Sequence, residues 1–195
     1  NERGIAVSLK ADSGVKNSQT LPKPLSHERI VSALDGCDLH EKVILTLLYT
    51  LGLRIAELES LEVANISSEW IRVVGKGSKE RDIPLLDGTR KLIDEYMSIH
   101  KPSKYLFEVN GKRLSQNSLR YTISKIFKRA GVWATPHQMR HSFASELLNN
   151  GAPITDVSEL LGHASIATTQ IYTKLGSSLK QQNYHLAHPL CKGSN

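Results

Sequence analysis

Trp70-Ile-Arg-Val-Val74, then Gly75-Lys-Gly-Ser-Lys-Glu80, then Arg81-Asp-Ile-Pro-Leu85 is the stretch on which the fold class turns. Two short runs rich in Ile, Val and Leu flank a glycine-bearing basic segment, which predicts an antiparallel hairpin with a positively charged tip. It is the one convincing β region; outward from it, apolar residues recur at helical spacing. Upstream, Ser26 precedes a helix carrying Ile30, Val31 and Leu34. A second helix is expected from about Leu39 to Thr50, with Val43, Leu47, Leu48 and Leu51 as its buried stripe, and Gly52 fits its stop. A short third helix should cover Ile55 to Leu61. Downstream, helices are expected over Gly88 to His100, from Ser115 to about Ala130, from His137 to about Asn150, over Ile154 to Leu161 and over Ile166 to Thr173. A short extended piece falls at Tyr105 to Glu108. The fold class is therefore mainly α with one small antiparallel β-sheet.

A chain of 195 residues suits one globular domain, and its 39% apolar and 23% charged residues are ordinary for a soluble protein. No apolar run approaches the ~20 residues that cross a bilayer. The longest candidate, Val43 to Leu53, is interrupted by Thr46, Thr50 and Gly52, so no membrane partner is expected. Asn1 to Lys10 lacks the layout of a signal peptide, and an opening at Asn1 in place of Met points to a piece of a longer chain. Asn1 to Pro24 carries Gly, Ser, Asn and Pro without helical period and reads as a linker or as the frayed end of a domain upstream. Cys37 and Cys191 are far apart, which fits unpaired thiols in a reducing cytoplasm. A net charge of +6 is compatible with a polyanionic partner, whereas 6% aromatics argues against a module that stacks single-stranded bases.

The C-terminal half concentrates chemistry. His137 and Arg140 are three apart on an expected helix and project from one face. Leu161-Gly-His163 is followed nine residues later by Tyr172. Upstream, Arg54 stands just past a helix end with Glu57 one turn on, and Lys76 occupies the hairpin tip. Breaking a DNA strand with such groups needs an in-line nucleophile, cations for the charge on the phosphate oxygens, and a proton for the departing 5′ oxygen. Arginine suits the second task because its planar fork matches phosphate and stays charged. A tyrosyl nucleophile leaves a phosphotyrosyl ester, which keeps the bond energy for rejoining. His137 and His141, four apart, have a spacing known from zinc sites, but Gln138 stands where a glutamate is needed and Arg140 would repel a cation. No metal or other cofactor is expected.

The segments Gly52-Leu-Arg-Ile-Ala-Glu-Leu58, Gly75-Lys-Gly-Ser-Lys-Glu-Arg81, Thr135-Pro-His-Gln-Met-Arg-His-Ser-Phe143 and Leu160-Leu-Gly-His163 through Tyr172, in this order, resemble the tyrosine recombinases of the phage integrase family, in its Xer-like branch. The likeness runs from about Leu21 to Lys174. It implies a catalytic domain over 25–174 in which Arg54, Lys76, His137, Arg140, His163 and Tyr172 are catalytic, with Tyr172 the nucleophile, Lys76 the general acid and Glu57 in support. Lys79 rivals Lys76 for the acid's place. Lys79, Arg81, Arg120 and Lys125 are candidate contacts to the DNA backbone, while Lys128 and Arg129 complete a basic helix face.

The resemblance further implies double-stranded DNA as partner and a missing N-terminal core-binding domain. It also implies a tetramer on two DNA sites, held through a tail over 175–195 that leaves the body and offers Leu175, Leu179, Leu186 and Leu190 to a neighbour. Strand exchange through a Holliday junction would serve integration or excision of a mobile element, or resolution of chromosome dimers. Two rivals share parts of the pattern: a type IB-like topoisomerase, and a catalytically silent DNA-binding protein on the same fold.

Overall fold

The computed structural model describes residues 24–162 and 184–189. The sequence places three helices first: α1 (His27–Asp35), α2 (Leu39–Leu51) and α3 (Ile55–Glu59). The hairpin β1 (Trp70–Val74) and β2 (Glu80–Pro84) follows, then α4 (Asp87–His100) and a second, two-residue-stranded hairpin, β3 (Glu108–Val109) with β4 (Lys112–Arg113). Helices α5 (Gln116–Arg129), α6 (Pro136–Asn149) and α7 (Ile154–Leu161) complete the body. The expected helix over Ile166 to Thr173, the linker before residue 24 and Cys191 lie outside the described residues.

Helix α2 is the axis. Asp38 and Glu41 cap its start reciprocally, the Asp38 side chain accepting from the Glu41 N–H at 2.8 Å and Glu41 accepting from the Asp38 N–H. Beyond the cap every residue from Val43 to Leu51 is buried, a full collar where a stripe was expected. The reason is tertiary: α1, α4, α5 and α6 all pack around it, and a helix enclosed on all sides needs apolar residues all round. Each fully buried Leu there contributes about 1.5–3 kcal/mol. The facing residues include Ile93 of α4, Ile123 and Phe127 of α5, and Met139 and Phe143 of α6, all essentially without solvent contact. Helices α5 and α6 begin at side-chain caps from Ser115 and Thr135, with Pro136 in the first turn of α6. The buried Cys37 thiol donates to the Ala33 carbonyl at 3.1 Å.

The main hairpin pairs Ile71 with Ile83 and Val73 with Arg81, one residue earlier in its second strand than expected. Ile71, Val73 and Ile83 face the core, and Arg72 forks onto Asp82 on the outside at 2.9 and 3.1 Å. The second hairpin corrects the expectation of a single small sheet. Its turn is Asn110-Gly111, both at positive φ (52° and 72°), as the handedness of a two-residue hairpin requires. The extended piece expected at Tyr105 to Glu108 contributes one bridge, Tyr105 with Glu62, and the first residue of β3.

A second correction concerns the C-terminus. The tail was expected to leave the body after about Lys174, yet 184–189 pack onto it. Tyr184, Ala187 and His188 are buried, the Tyr184 hydroxyl donates to the Thr50 carbonyl, and the His188 ring lies 5.5 Å from that of Tyr49. An aromatic ring and an imidazole fill the groove beside Phe143, burying surface that a free tail would leave wet. Leu186 points out, 72% exposed; Leu175, Leu179 and Leu190 lie outside the described residues.

Burial, ahead of the nearby His27 and His185 charges, holds the His188 imidazole down to about 4 against a hydrogen bond with the Tyr49 backbone. The unfolded chain therefore binds a proton that the folded chain refuses. This contribution is fully present above pH 6.5 and is lost as pH falls from there toward about 4. Urea unfolding should show a loss on the order of 3 kcal/mol across that window. The loss should shrink in His188→Gln, and an equally steep profile in that variant would show that other groups set it.

Candidate active site

Helix α2 ends at Gly52, whose positive φ (58°) turns the chain sharply. Leu53 is buried immediately afterwards, and Arg54 becomes the N-cap residue of α3 with its side chain 43% exposed. One turn on, Glu57 is buried, its side chain 3% exposed. Its carboxylate accepts from the Arg54 backbone N–H and from Arg54 Nη1, both at 2.8 Å. The same carboxylate accepts both arms of the Arg81 fork at 2.9 Å. Burial alone would raise the Glu57 carboxyl; the Arg81 fork, the Arg54 N–H and the two positive charges together hold it below its ordinary value.

Arg140 reaches the same place from α6. It is 6% exposed, and its Nη1 and Nη2 donate to the carbonyls of Gly52 (2.6 Å) and Leu161 (2.5 Å). It thus ties the end of α2 to the end of α7. Burial first, then the Arg54 and Arg81 charges, bring its guanidinium down to about 10, with Glu57 opposing; at neutral pH it keeps its proton. Three guanidiniums stand near one carboxylate, an excess of positive charge with Arg140 buried, Arg81 10% exposed and Arg54 open to solvent. Such a cluster is arranged to receive an anion.

Two chain segments abut the cluster. At the foot of the hairpin turn Gly75 N–H donates to the Lys79 carbonyl at 2.7 Å, and a Cβ on Gly75 would stand 3.7 Å from Glu57 Oε1. Lys76 follows directly, in the turn Lys76–Ser78. At the far end of α7, Gly162 has φ 65°, and a Cβ there would stand 3.1 Å from Arg81 Nη1. The next residue is His163. His137 is exposed in the first turn of α6, one turn before Arg140. The structure therefore gathers Arg54, Glu57, Arg140 and the root of the Lys76 loop, with His137 one helical turn from Arg140; His163 and Tyr172 lie outside the described residues.

The candidate backbone contacts fare differently. Arg81 was expected at the DNA surface; instead its side chain is 10% exposed, held by Glu57 and donating from Nε to the Leu160 carbonyl at 2.7 Å. Its register explains this, since Arg81 lies opposite Val73 and two residues before Ile83, on the inward face of the hairpin. Lys79 is exposed at the tip. Arg120 is exposed on α5 and donates to Gln116 and Asn117 of its own helix. Lys125 pairs with the buried Glu41 at 3.4 Å, beside the Arg129–Glu41 pair at 2.5 Å. His141 is exposed, and among the described residues no three His, Cys, Asp or Glu side chains are grouped to hold a metal ion. No helix among them is long and apolar enough to cross a membrane.

The sequence matches the phage integrase family over residues 24–178. It is 37% identical over 191 residues to the tyrosine recombinase XerC of Shewanella amazonensis, covering 91% of this chain and 64% of that protein. The chain thus spans less than two thirds of that curated relative. Among solved structures it is similar to the XerA recombinase (29% identity, TM-score 0.70, 87% of this chain and 66% of that one). It is similar also to the XerH site-specific recombinase in a post-cleavage complex with a palindromic difH substrate (26% identity, TM-score 0.70, 90% of this chain and 57% of that one).

Glu57→Gln removes the charge that two arginines share, leaving the largely enclosed Arg81 guanidinium without its counter-charge. It should cost about 3–5 kcal/mol in urea unfolding; a cost below about 1 kcal/mol would deny Glu57 its central place. Gly52→Ala would bring a Cβ to 2.4 Å from Phe143 Cδ1 at a positive φ. A loss of about 2–4 kcal/mol is expected by the same measurement.

Proposed function

The chain belongs to the phage integrase family, and we propose that it is a site-specific recombinase that cuts and rejoins double-stranded DNA through Tyr172. The observation that carries this reading is the Glu57-centred cluster. It presents Arg54 and Arg140 together, with the root of the Lys76 loop and the entry to His163 against the same carboxylate and its partner Arg81. The family likeness and the XerH–difH complex support DNA as the partner.

Arg54 and Arg140 face the non-bridging oxygens of one phosphodiester and neutralise the charge that builds as phosphorus is attacked. The Tyr172 phenol, a poor nucleophile at its ordinary pKa near ~10, gives its proton to the His137 imidazole while its oxygen bonds to phosphorus. The bond from phosphorus to the 5′ oxygen breaks, and the Lys76 ammonium protonates that oxygen. The products are a 3′-phosphotyrosyl ester and a free 5′-hydroxyl. His163 adds a further hydrogen-bond donor to the phosphate. The 5′-hydroxyl of a partner strand then attacks the ester with the proton transfers reversed, giving strand exchange through a Holliday junction without ATP, because the ester conserves the bond energy.

Exchange between two duplexes needs several active sites at once, so the working form is a tetramer on two DNA sites, in which the tail segment that packs here on its own body beside Tyr49 would seat in a neighbour's groove instead. Lys79, Arg120 and Lys125, all exposed, add contacts to the DNA backbone. The protein acts in the cytoplasm, in mobile-element integration or excision or in chromosome-dimer resolution.

A duplex nicked beside the cleavage point, so that the cut fragment diffuses away, traps the covalent intermediate. The wild-type chain should give a denaturant-stable adduct. Tyr172→Phe should give none while still shifting the duplex on a gel, and Arg54→Ala should form adduct about 100-fold more slowly or worse. An adduct that persists in Tyr172→Phe, or none from the wild type, overturns the reading. Recombination between two matched sites, with no relaxation of site-free supercoils, excludes a topoisomerase.

A further inference from the structure

Arg81 spans three parts of the site and belongs to none of the roles assigned so far. We propose that Arg81 is a positioning residue for strand cleavage, setting the Lys76 loop and the chain entering His163 in register with Arg54. The proposal rests on the reading of Lys76 as the general acid.

Its geometry is that of a strut. The guanidinium forks onto both oxygens of Glu57 at 2.9 Å, and that carboxylate holds both the backbone N–H and the guanidinium of Arg54. Arg81 Nε donates to the carbonyl of Leu160, three residues before His163, and a Cβ on Gly162 would crowd its Nη1 and Cδ at 3.1 and 3.2 Å. On its other side, a Cβ built on Gly75, the residue before Lys76, would stand 3.8 Å from the same Nη1. Arg81 itself sits on the return strand of the hairpin, five residues after Lys76, so moving its guanidinium moves the limb that bears the loop. Its Nε, Nη1 and Nη2 are already engaged, by the Leu160 carbonyl and by both oxygens of Glu57. A planar fork is needed here: an ammonium cannot meet two carboxylate oxygens and a carbonyl from one rigid plane.

A substrate whose 5′ bridging oxygen is sulfur tests this, because a thiolate leaves without needing a proton. Lys76→Ala, Arg81→Lys and Arg81→Gln are compared with wild type on nicked duplexes bearing oxygen or sulfur at that position, in the full chain. Arg81→Lys keeps the charge opposite Glu57, which preserves a folded protein for the comparison, and thermal unfolding verifies it.

The expected result is an adduct rate about 10–100-fold below wild type for Arg81→Lys on the oxygen substrate. Gel-shift affinity should stay within about threefold, and the sulfur substrate should restore most of the rate, as for Lys76→Ala. An equal deficit on both substrates while Lys76→Ala is rescued would mean that Arg81 serves only folding or DNA binding, and overturns the proposal. A wild-type rate in Arg81→Lys overturns it as well. Failure of sulfur to rescue Lys76→Ala removes Lys76 as the acid and takes this proposal with it, leaving the Tyr172 reading to its own test.

Discussion

A carboxylate removed from water between two arginines is the constraint from which the rest of this site follows. Glu57 cannot stay charged at 3% exposure unless cations and N–H donors replace its water, and Arg54 and Arg81 do so from two different parts of the chain. Buried pairs of this sort contribute little net stability, because desolvation offsets most of the attraction. What they impose is geometry. With the carboxylate fixed at the start of α3, the hairpin must bring Arg81 to it, and α7 must end where the Leu160 carbonyl meets Arg81 Nε. A loop, a strand and a helix end are thereby set against one another by one ion pair.

Arg140 extends the same logic through the backbone. Its two bonds go to carbonyls at the ends of α2 and α7, groups that helix geometry leaves without partners. It can serve them only because Gly52 takes a left-handed turn beneath the Phe143 ring, in a space with no room for a Cβ. The buried collar of α2 makes this rigid: a helix packed on every side cannot shift its C-terminus to suit a ligand. The cluster of positive charge is set by the fold itself, the preorganisation on which electrostatic stabilisation of an anion depends.

The C-terminal segment shows how context overrides a sequence pattern. Leu186 at helical spacing from other leucines reads as a docking stripe, yet the residues that bury are Tyr184, Ala187 and His188. The groove beside Tyr49 and Phe143 accepts flat rings and supplies the Thr50 carbonyl for the Tyr184 hydroxyl. Nothing local to the tail announces that groove, because it is made by α2 and α6 together.

Among the described residues, local pattern was enough for the helices and the main hairpin, since periodicity, caps and turn residues are local physics. Two further features were legible and passed over. Asn110-Gly111 announces the second hairpin by its positive-φ requirement, and the alternation Val73, Arg81, Ile83 puts Arg81 on the inward face. Tertiary structure alone decided where charge is spent. Arg54, Arg81 and Arg140 look alike in the chain, but burial and partners leave one open to solvent, make one a strut and tie one to two helix ends. Those differences arise from distances between residues far apart in sequence, and local pattern carries no record of them.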